Sequence, residues 1–245
     1  MAHVLTRQEH PLVFVISHWI NLICMVAFVI SGFYIHWPFI DGFMGLARSL
    51  HLVSVWVVLI NLVFRFVAAF FVKDVIDATT GELATDIKTF LPQKVNKGKF
   101  FKWVGYYLFF TNEKPVTGKY GNLQKWAYNL VPVMILAAAF TGFSIYPLTY
   151  SLWPFSWAVG MWGLMALRTT HYYIMWVIII FTMIHVYLAN CYGFQPTVLM
   201  FTWRQPDGVP ATEKDLVGTG MSTITVAEYE KKFHETPPMP LSQKA

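Results

Sequence analysis

The stretch LRTTHYYIMWVIIIFTMIHVYLANCY, residues 167–192, decides the fold. Its apolar run is longer than the roughly 20 residues that a helix needs to cross the hydrocarbon core of a bilayer. It nevertheless carries two histidines, His171 and His185. Ionisable side chains are disfavoured inside a bilayer and usually mark function there. The segment therefore predicts a membrane-spanning helix whose two histidines each have a functional role, such as holding a ligand.

The composition of the whole chain is that of a membrane protein. Of its 245 residues, 56% are hydrophobic, 18% are aromatic and only 13% are charged, whereas soluble domains carry about a quarter charged residues. The basic residues lie beside apolar segments and do not follow a DNA- or RNA-binding pattern, so no nucleic-acid partner is expected. Cys24 and Cys191 lie within apolar segments and no C-x-x-C-H occurs. Covalent haem attachment and an iron–sulfur cluster are therefore not expected.

The gaps between charged residues predict an all-α integral membrane protein, a bundle of four transmembrane helices. The predicted spans are residues 12–35, 49–72, 127–146 and 169–192, with a loop rich in Pro and Trp before the fourth. No small-residue cleavage site follows the first span, which is therefore expected to stay in the mature protein. We expect one membrane domain over residues 1–205 and a cytoplasmic tail over residues 206–245.

Lysine and arginine in the connections predict the orientation. Nine lysines lie in residues 73–125, and the tail adds Arg204, Lys214, Lys231, Lys232 and Lys244. The other two connections hold one basic residue each, Arg48 and Arg168. The positive-inside rule then places both termini and the middle loop in the cytoplasm. Within that loop, GKFFKWVGYYLFF (98–110) mixes lysine with aromatic residues and predicts an interfacial helix.

Short motifs repeat between the two halves of the chain. SGFYI (31–35) closes the first span and RSLH (48–51) opens the second, while TGFSI (141–145) and RTTH (168–171) take the same places around the third and fourth. Duplication of a helical hairpin is one interpretation, and chance similarity is the other.

The predicted topology sorts four histidines into two pairs at two depths. His51 and His171 open their helices from the outer side, whereas His18 and His185 lie near the cytoplasmic ends of theirs. The fourteen residues between His171 and His185 are about 40° short of four helical turns, so both imidazoles share one face, about 21 Å apart along the axis. One ligand site near each side of the membrane is predicted.

Pairs of imidazoles favour haem over zinc. A zinc site needs three or four converging ligands, whereas two imidazoles suit the two axial positions of a haem iron inside a bundle. Gly32 and Gly142 are predicted to let a ring edge approach the backbone. Arg48 and Arg168 would be the cationic partners of haem propionates on the outer side. Arg65 could serve the haem on the inner side, or its side chain could only snorkel to the cytoplasmic interface.

Interpretations of the membrane histidines that involve no haem stay open. Each could be a hydrogen-bonded contact between helices or part of a proton relay. The remaining histidines are expected to contact solvent or lipid headgroups; these are His3, His10, His36 and His234.

The motifs SHW (17–19), RSLH (48–51), TGF (141–143) and H-x13-H (171–185) resemble those of a known family. The chain is similar to the di-haem cytochrome b subunit of membrane-bound nickel–iron hydrogenases and to the gamma subunit of respiratory formate dehydrogenases. The resemblance covers roughly residues 10–200. It implies two haem b groups, the outer held by His51 and His171 and the inner by His18 and His185.

The same resemblance implies partners and a membrane location. It implies a multi-pass subunit of the bacterial inner membrane that passes electrons between an iron–sulfur subunit with its catalytic partner and menaquinone or ubiquinone. Oligomerisation of the whole complex is left open. The chain itself would carry the quinone reduction site, while the primary catalytic site lies on another subunit.

The resemblance also implies a quinone pocket near the inner haem, beside GKYGNLQK (118–125). This segment has its asparagine one position later than the formate dehydrogenase pattern. Asn122 is the candidate for bonding a quinone carbonyl, with Tyr120, Gln124 and Lys119 behind it; the alternative for Asn122 is a helix cap. Two other functions stay open: a stand-alone b561-type cytochrome acting on quinone or superoxide, and a haem-free membrane anchor or proton conduit.

Overall fold

The computed structural model describes residues 3–7, 11–77, 82–90, 97–111, 122–190, 197, 200–201 and 221–225. Within these residues, four helices are long and apolar enough to cross a membrane. They are α1 (Leu12–His36), α2 (Met44–Phe71), α5 (Asn122–Ile145) and α6 (Phe155–Asn190). The prediction of a four-helix membrane protein is confirmed.

Three of these helices begin well before the predicted position, and one of them is α5, which begins at Asn122 rather than at residue 127. Helix α2 begins at Met44 rather than at residue 49, so Arg48 and His51 both lie inside its first turns. Helix α6 begins at Phe155, within the segment predicted as a Pro- and Trp-rich loop. The helical run of α6 is interrupted at Gly163, whose φ of 77° and ψ of 154° are non-helical. Glycine tolerates this positive φ, so the chain can change direction there and then form one uninterrupted helix from residue 164 to residue 190.

The connecting segments hold short elements. Helix α4 (Phe100–Tyr107) forms within residues 98–110, where a helix was predicted; its position at the membrane interface stays a prediction. Helix α3 (Ile87–Phe90) is a single turn. Four strands were not predicted. Strand β1 (His3–Arg7) pairs antiparallel with β4 (Met221–Thr225), and β2 (Lys73–Asp77) pairs antiparallel with β3 (Glu82–Thr85).

The folded chain consists of two compact units. The first contains residues 1–15, 65–127 and 195–245, and includes all four described strands. The second contains residues 16–64 and 128–194, which are the main parts of the four long helices. The predicted boundary at residue 205 lies outside the described residues and stays a prediction.

The second unit buries small polar side chains and exposes large apolar ones. Ser31 and Ser144 are fully enclosed, and Asn61 is 5% exposed. By contrast, Ile23 and Ile60 are 65% and 67% exposed. Membrane helices pack through small and polar residues because lipid tails solvate the apolar ones. This pattern is that of a bundle whose outer surface faces lipid.

Aromatic contacts join the helices within the second unit. Phe33 on α1 packs edge-on against Trp176 on α6, with ring centroids 5.6 Å apart. Trp56 on α2 lies 5.4 Å from Phe143 on α5. These contacts bring α6 beside α1 and α5 beside α2.

Candidate haem-binding site

The four membrane histidines meet as two pairs in the second unit. The imidazole centroids of His51 on α2 and His171 on α6 lie 6.3 Å apart, with 63° between the ring planes. Those of His18 on α1 and His185 on α6 lie 6.4 Å apart, with 45° between the planes. The structure therefore brings together the same partners that the sequence predicts, and helix α6 supplies one histidine to each pair.

The side chain of His51 is fixed by a hydroxyl group on the neighbouring helix. The Oγ atom of Ser31 lies 2.9 Å from Nδ1 of His51 and 2.5 Å from the carbonyl oxygen of Ala27. The ring of Phe28 contacts the His51 ring edge-on, with centroids 5.1 Å apart. A methyl group built on Gly32 would lie 3.7 Å from Cε1 of His51, so this glycine places the helix backbone directly beside the imidazole.

His171 has the same surroundings on α5. Oγ1 of Thr141 lies 3.0 Å from Nδ1 of His171 and 2.8 Å from the carbonyl oxygen of Ala137. A methyl group on Gly142 would lie 3.2 Å from Cε1 of His171. In both halves of the motif repeat, a hydroxyl residue thus bonds the histidine and the glycine that follows it makes room for the ring.

The role predicted for the two glycines takes a specific form in the structure. They were expected to let the edge of a macrocycle approach the backbone, and what lies against each of them is a histidine ring. Ser31 and Thr141 were not singled out from the sequence. Their position in the repeat could have indicated a role, because a hydroxyl residue precedes the glycine in both SGF and TGF.

The surroundings of the His18–His185 pair are different. The ring of Phe181 stacks on His185, with centroids 6.4 Å apart and 10° between the planes. Next to His18, the side-chain amide of Asn61 donates hydrogen bonds to the carbonyl oxygen of Ser17 and to Oδ1 of Asn21, both at 2.8 Å. This amide bridge, which was not predicted from the sequence, ties α2 to α1 at the position of His18.

The geometry and chemistry of the pairs fit an iron with two axial ligands. A metal–imidazole bond of about 2 Å would place each ring centroid about 3 Å from the metal, so two rings on opposite sides would be about 6 Å apart. Both measured separations match that distance. Within the described residues, no group of three or more His, Cys, Asp or Glu side chains could hold a metal ion.

The three predicted arginines have different surroundings. Arg48 and Arg168 are exposed and stand three residues before His51 and His171 on their helices. Arg65 belongs to the first unit, where its guanidinium lies 2.7 Å from the buried carboxylate of Asp86. Its Cζ also lies 3.7 Å from the centroid of the Phe14 ring. Contact of any of the three with haem propionates stays a prediction.

The predicted quinone residues lie at the edge of the described part of the chain. Asn122 is the first residue of α5, and Gln124 lies in the same first turn; their side chains are not described. Lys119 and Tyr120 lie outside the described residues. Their role at a quinone site stays a prediction, and so does the alternative of a cap by Asn122.

Comparison with known proteins agrees with the histidine geometry. The family model described as prokaryotic cytochrome b561 matches residues 9–202. A protein of Rhizobium leguminosarum bv. viciae, described as a probable Ni/Fe-hydrogenase B-type cytochrome subunit, is 27% identical over 195 residues. The matched part covers 71% of this chain and 76% of the relative.

Proposed function

Because the chain belongs to the prokaryotic cytochrome b561 family, we propose that it is the di-haem membrane subunit of a respiratory oxidoreductase complex. It is a multi-pass membrane cytochrome that binds haem b and transfers electrons. The proposal adds that there are two haems, that a catalytic complex on the outer side supplies the electrons, and that a quinone receives them.

The observation that carries the proposal is that one helix, α6, contributes a histidine to each of the two imidazole pairs. His171 and His185 are fourteen residues apart on the uninterrupted part of α6, which is about 21 Å along the axis. Each meets one further histidine at the spacing of an axial pair. One pair near each end of a span supports a path for electrons across most of the bilayer.

In the proposed mechanism, His51 and His171 would hold the haem on the donor side, and His18 and His185 would hold the haem on the quinone side. Bound haem supplies a centre for one-electron transfer. The protein holds the four imidazoles on packed helices, so that the sites stay fixed. Arg48 and Arg168, exposed one turn before their histidines, are proposed to neutralise propionates at the outer surface.

Quinone reduction is proposed to occur on the cytoplasmic side, beside the start of α5. Each quinone takes up two electrons and two protons to become quinol, and these protons come from the cytoplasm. Asn122, Tyr120, Gln124 and Lys119 are the proposed contacts. Moving electrons across the bilayer in this direction separates charge, and each elementary charge is worth about 2.3 kcal/mol per 100 mV.

The proposed partner is an iron–sulfur subunit with its catalytic subunit. The relative described as a hydrogenase cytochrome subunit supports a hydrogenase as the catalytic partner, and a formate dehydrogenase is the second candidate from motif resemblance. The proposed orientation has both termini and the lysine-rich residues 73–125 in the cytoplasm. Residues 1–205 would form the membrane domain and residues 206–245 the cytoplasmic tail.

Purification from native membranes tests the proposal. We expect two haem b per chain, measured as the pyridine haemochrome against protein concentration, and co-purification of an iron–sulfur subunit and a catalytic subunit. Addition of the catalytic partner's substrate should then reduce both haems, with quinone reduction following. A chain with two haems but no protein partner would be a stand-alone quinone cytochrome. One haem per chain would refute the two-site assignment.

A further inference from the structure

The two histidine pairs differ in what lies behind their rings. In the His51–His171 pair, each Nδ1 atom lies within 3.0 Å of a side-chain hydroxyl, supplied by Ser31 and Thr141. In the His18–His185 pair, no described residue forms a hydrogen bond with either ring. The pairs are therefore alike in ring separation, and among the described residues they differ in the polar groups behind the rings.

The position of the hydroxyl proton follows from the bonds that Ser31 makes. Its Oγ lies 2.5 Å from the carbonyl oxygen of Ala27, four residues earlier on α1. A carbonyl oxygen only accepts, and serine or threonine within a helix commonly donates to the i−4 carbonyl. With its single proton used there, Oγ faces His51 as an acceptor. The Nδ1 atom of His51 must then carry a proton, and its other ring nitrogen, Nε2, keeps the lone pair.

Thr141 leads to the same assignment for His171. Its Oγ1 donates to the carbonyl oxygen of Ala137 at 2.8 Å, so its lone pairs face Nδ1. The Nδ1 atom of His171, 3.0 Å from Oγ1, must therefore carry a proton. Both histidines of this pair are thus fixed in the tautomer that offers Nε2 to a metal.

We propose that Ser31 and Thr141 are positioning residues that lower the reduction potential of the haem held by His51 and His171 relative to the haem held by His18 and His185. The inference rests on the proposed function. A ligated imidazole that donates its other N–H becomes more basic, and a more electron-rich ligand stabilises oxidised iron. The hydroxyl's own bond to a carbonyl polarises it further and strengthens it as an acceptor.

The consequence is a downhill path along α6. Electrons pass from a donor on the outer side to the lower-potential site at His171, and from there to the higher-potential site at His185. Two small side chains on α1 and α5 would set this direction without touching the electrons' donor or acceptor. The direction of flow is thereby built into the membrane subunit.

A spectroscopic redox titration of the full chain in membranes tests the inference. The variants are Thr141→Val, which keeps the side-chain shape without the hydroxyl, Ser31→Ala, and Thr141→Ser, which keeps the hydroxyl. Ser144→Ala is the matched control, because Ser144 is also buried on α5 and also donates to an i−4 carbonyl, that of Phe140 at 2.7 Å. Thr182→Val is the control on α6, where Oγ1 of Thr182 donates to Ile178.

We expect the lower-potential haem component to shift upward in Thr141→Val and in Ser31→Ala, with the other component unchanged. Thr141→Ser and both controls should titrate like the unaltered chain. His171→Ala identifies the affected component, because it should remove the one that shifts. If the Thr141→Val protein accumulates without haem, the potential measured for Ser31→Ala tests the inference, since this substitution leaves the α5 side of the site intact.

Two results would overturn the inference. One is an unchanged lower component in Ser31→Ala and Thr141→Val, and the other is an equal shift in Ser144→Ala. Both leave the proposed function standing, since the chain still holds two haems. By contrast, an unaltered chain that titrates as a single component with one haem per chain would refute the proposed function itself.

Discussion

Gly142 on α5 lies so close to His171 on α6 that a methyl group at residue 142 would come within 3.2 Å of the imidazole Cε1 atom. The corresponding contact between Gly32 and His51 is looser, at 3.7 Å. The first distance requires a neighbour to move, whereas the second is an ordinary van der Waals contact. This difference separates two glycines that look equivalent in sequence.

Gly142→Ala should therefore lower the occupancy of one haem, because the added methyl group pushes the His171 ring out of place. Gly32→Ala is the matched control and should retain both haems. Its added methyl group also favours the helix by about 1 kcal/mol relative to glycine. The measurement is haem b per chain after purification in detergent. Equal haem loss in the two variants would show that the 3.2 Å contact does not determine haem occupancy.

Replacing single histidines should remove haems one at a time. We expect His171→Ala to lose one haem and block reduction of the quinone by the donor, while the remaining haem is still reducible from quinol. His36→Ala is the control, because His36 stacks on Tyr172 at 4.7 Å outside both pairs, and it should keep two haems. Visible spectra of the reduced protein measure both outcomes. Equal loss of the two haems in a folded His171→Ala protein would contradict two independent sites.

The amide bridge from Asn61 should stabilise the helix pair that carries His18. Asn61→Leu removes its hydrogen bonds to Ser17 and Asn21, and interhelical bonds in membranes contribute about 0.6 kcal/mol, up to roughly 1.7. We expect a lower temperature of haem release from the His18–His185 site, followed spectroscopically during heating. The double variant Asn21→Ala, Asn61→Leu should cost less than the sum of the single variants. Fully additive effects would argue against the bond between the two side chains.

The ion pair of Arg65 and Asp86 should stabilise the first unit. Asp86 is fully buried, so Arg65→Ala leaves a buried charge without this partner. Loss of one member of a buried pair costs about 3–5 kcal/mol, and the 28% exposure of the Arg65 side chain reduces the expected cost to about 1–3 kcal/mol.

Thermal unfolding in detergent tests this pair. Arg65→Ala should unfold at a lower temperature than Arg65→Lys, which retains a cation. The double variant Arg65→Ala, Asp86→Ala should recover part of the loss because no charge stays buried. A double variant less stable than Arg65→Ala would mean that Asp86 contributes mainly through other contacts.

Asn122→Ala tests the proposed quinone site. We expect a higher quinone concentration for half-maximal turnover, because a hydrogen bond to a quinone carbonyl is lost, with haem content unchanged. Trp126→Phe serves as a control for changes at the same end of α5, since Trp126 is 70% exposed. Steady-state kinetics with the donor complex and a soluble quinone supply the measurement. Unchanged quinone kinetics in Asn122→Ala would remove the residue from the site.

Much of the fold could be predicted because a membrane-spanning helix is defined by local composition. Helix α1 was predicted to within one residue at each end, since charged residues flank its apolar core. Helix α6 was predicted too short, because its first turns are rich in aromatic residues and Gly163 interrupts the pattern. The strands β1 and β4 were missed because they pair residues more than 200 positions apart.

The sequence by itself determined that the chain crosses the membrane, and it indicated which histidines share a depth. Both follow from properties that run along the chain: the length of an apolar segment and the rise per residue of a helix. Only the tertiary structure decided that Ser31 and Thr141 bond the rings of His51 and His171 while His18 and His185 form no hydrogen bond with any described residue. The reason is physical: a hydrogen bond between helices depends on their rotation and separation, which side-chain packing sets and no local pattern records.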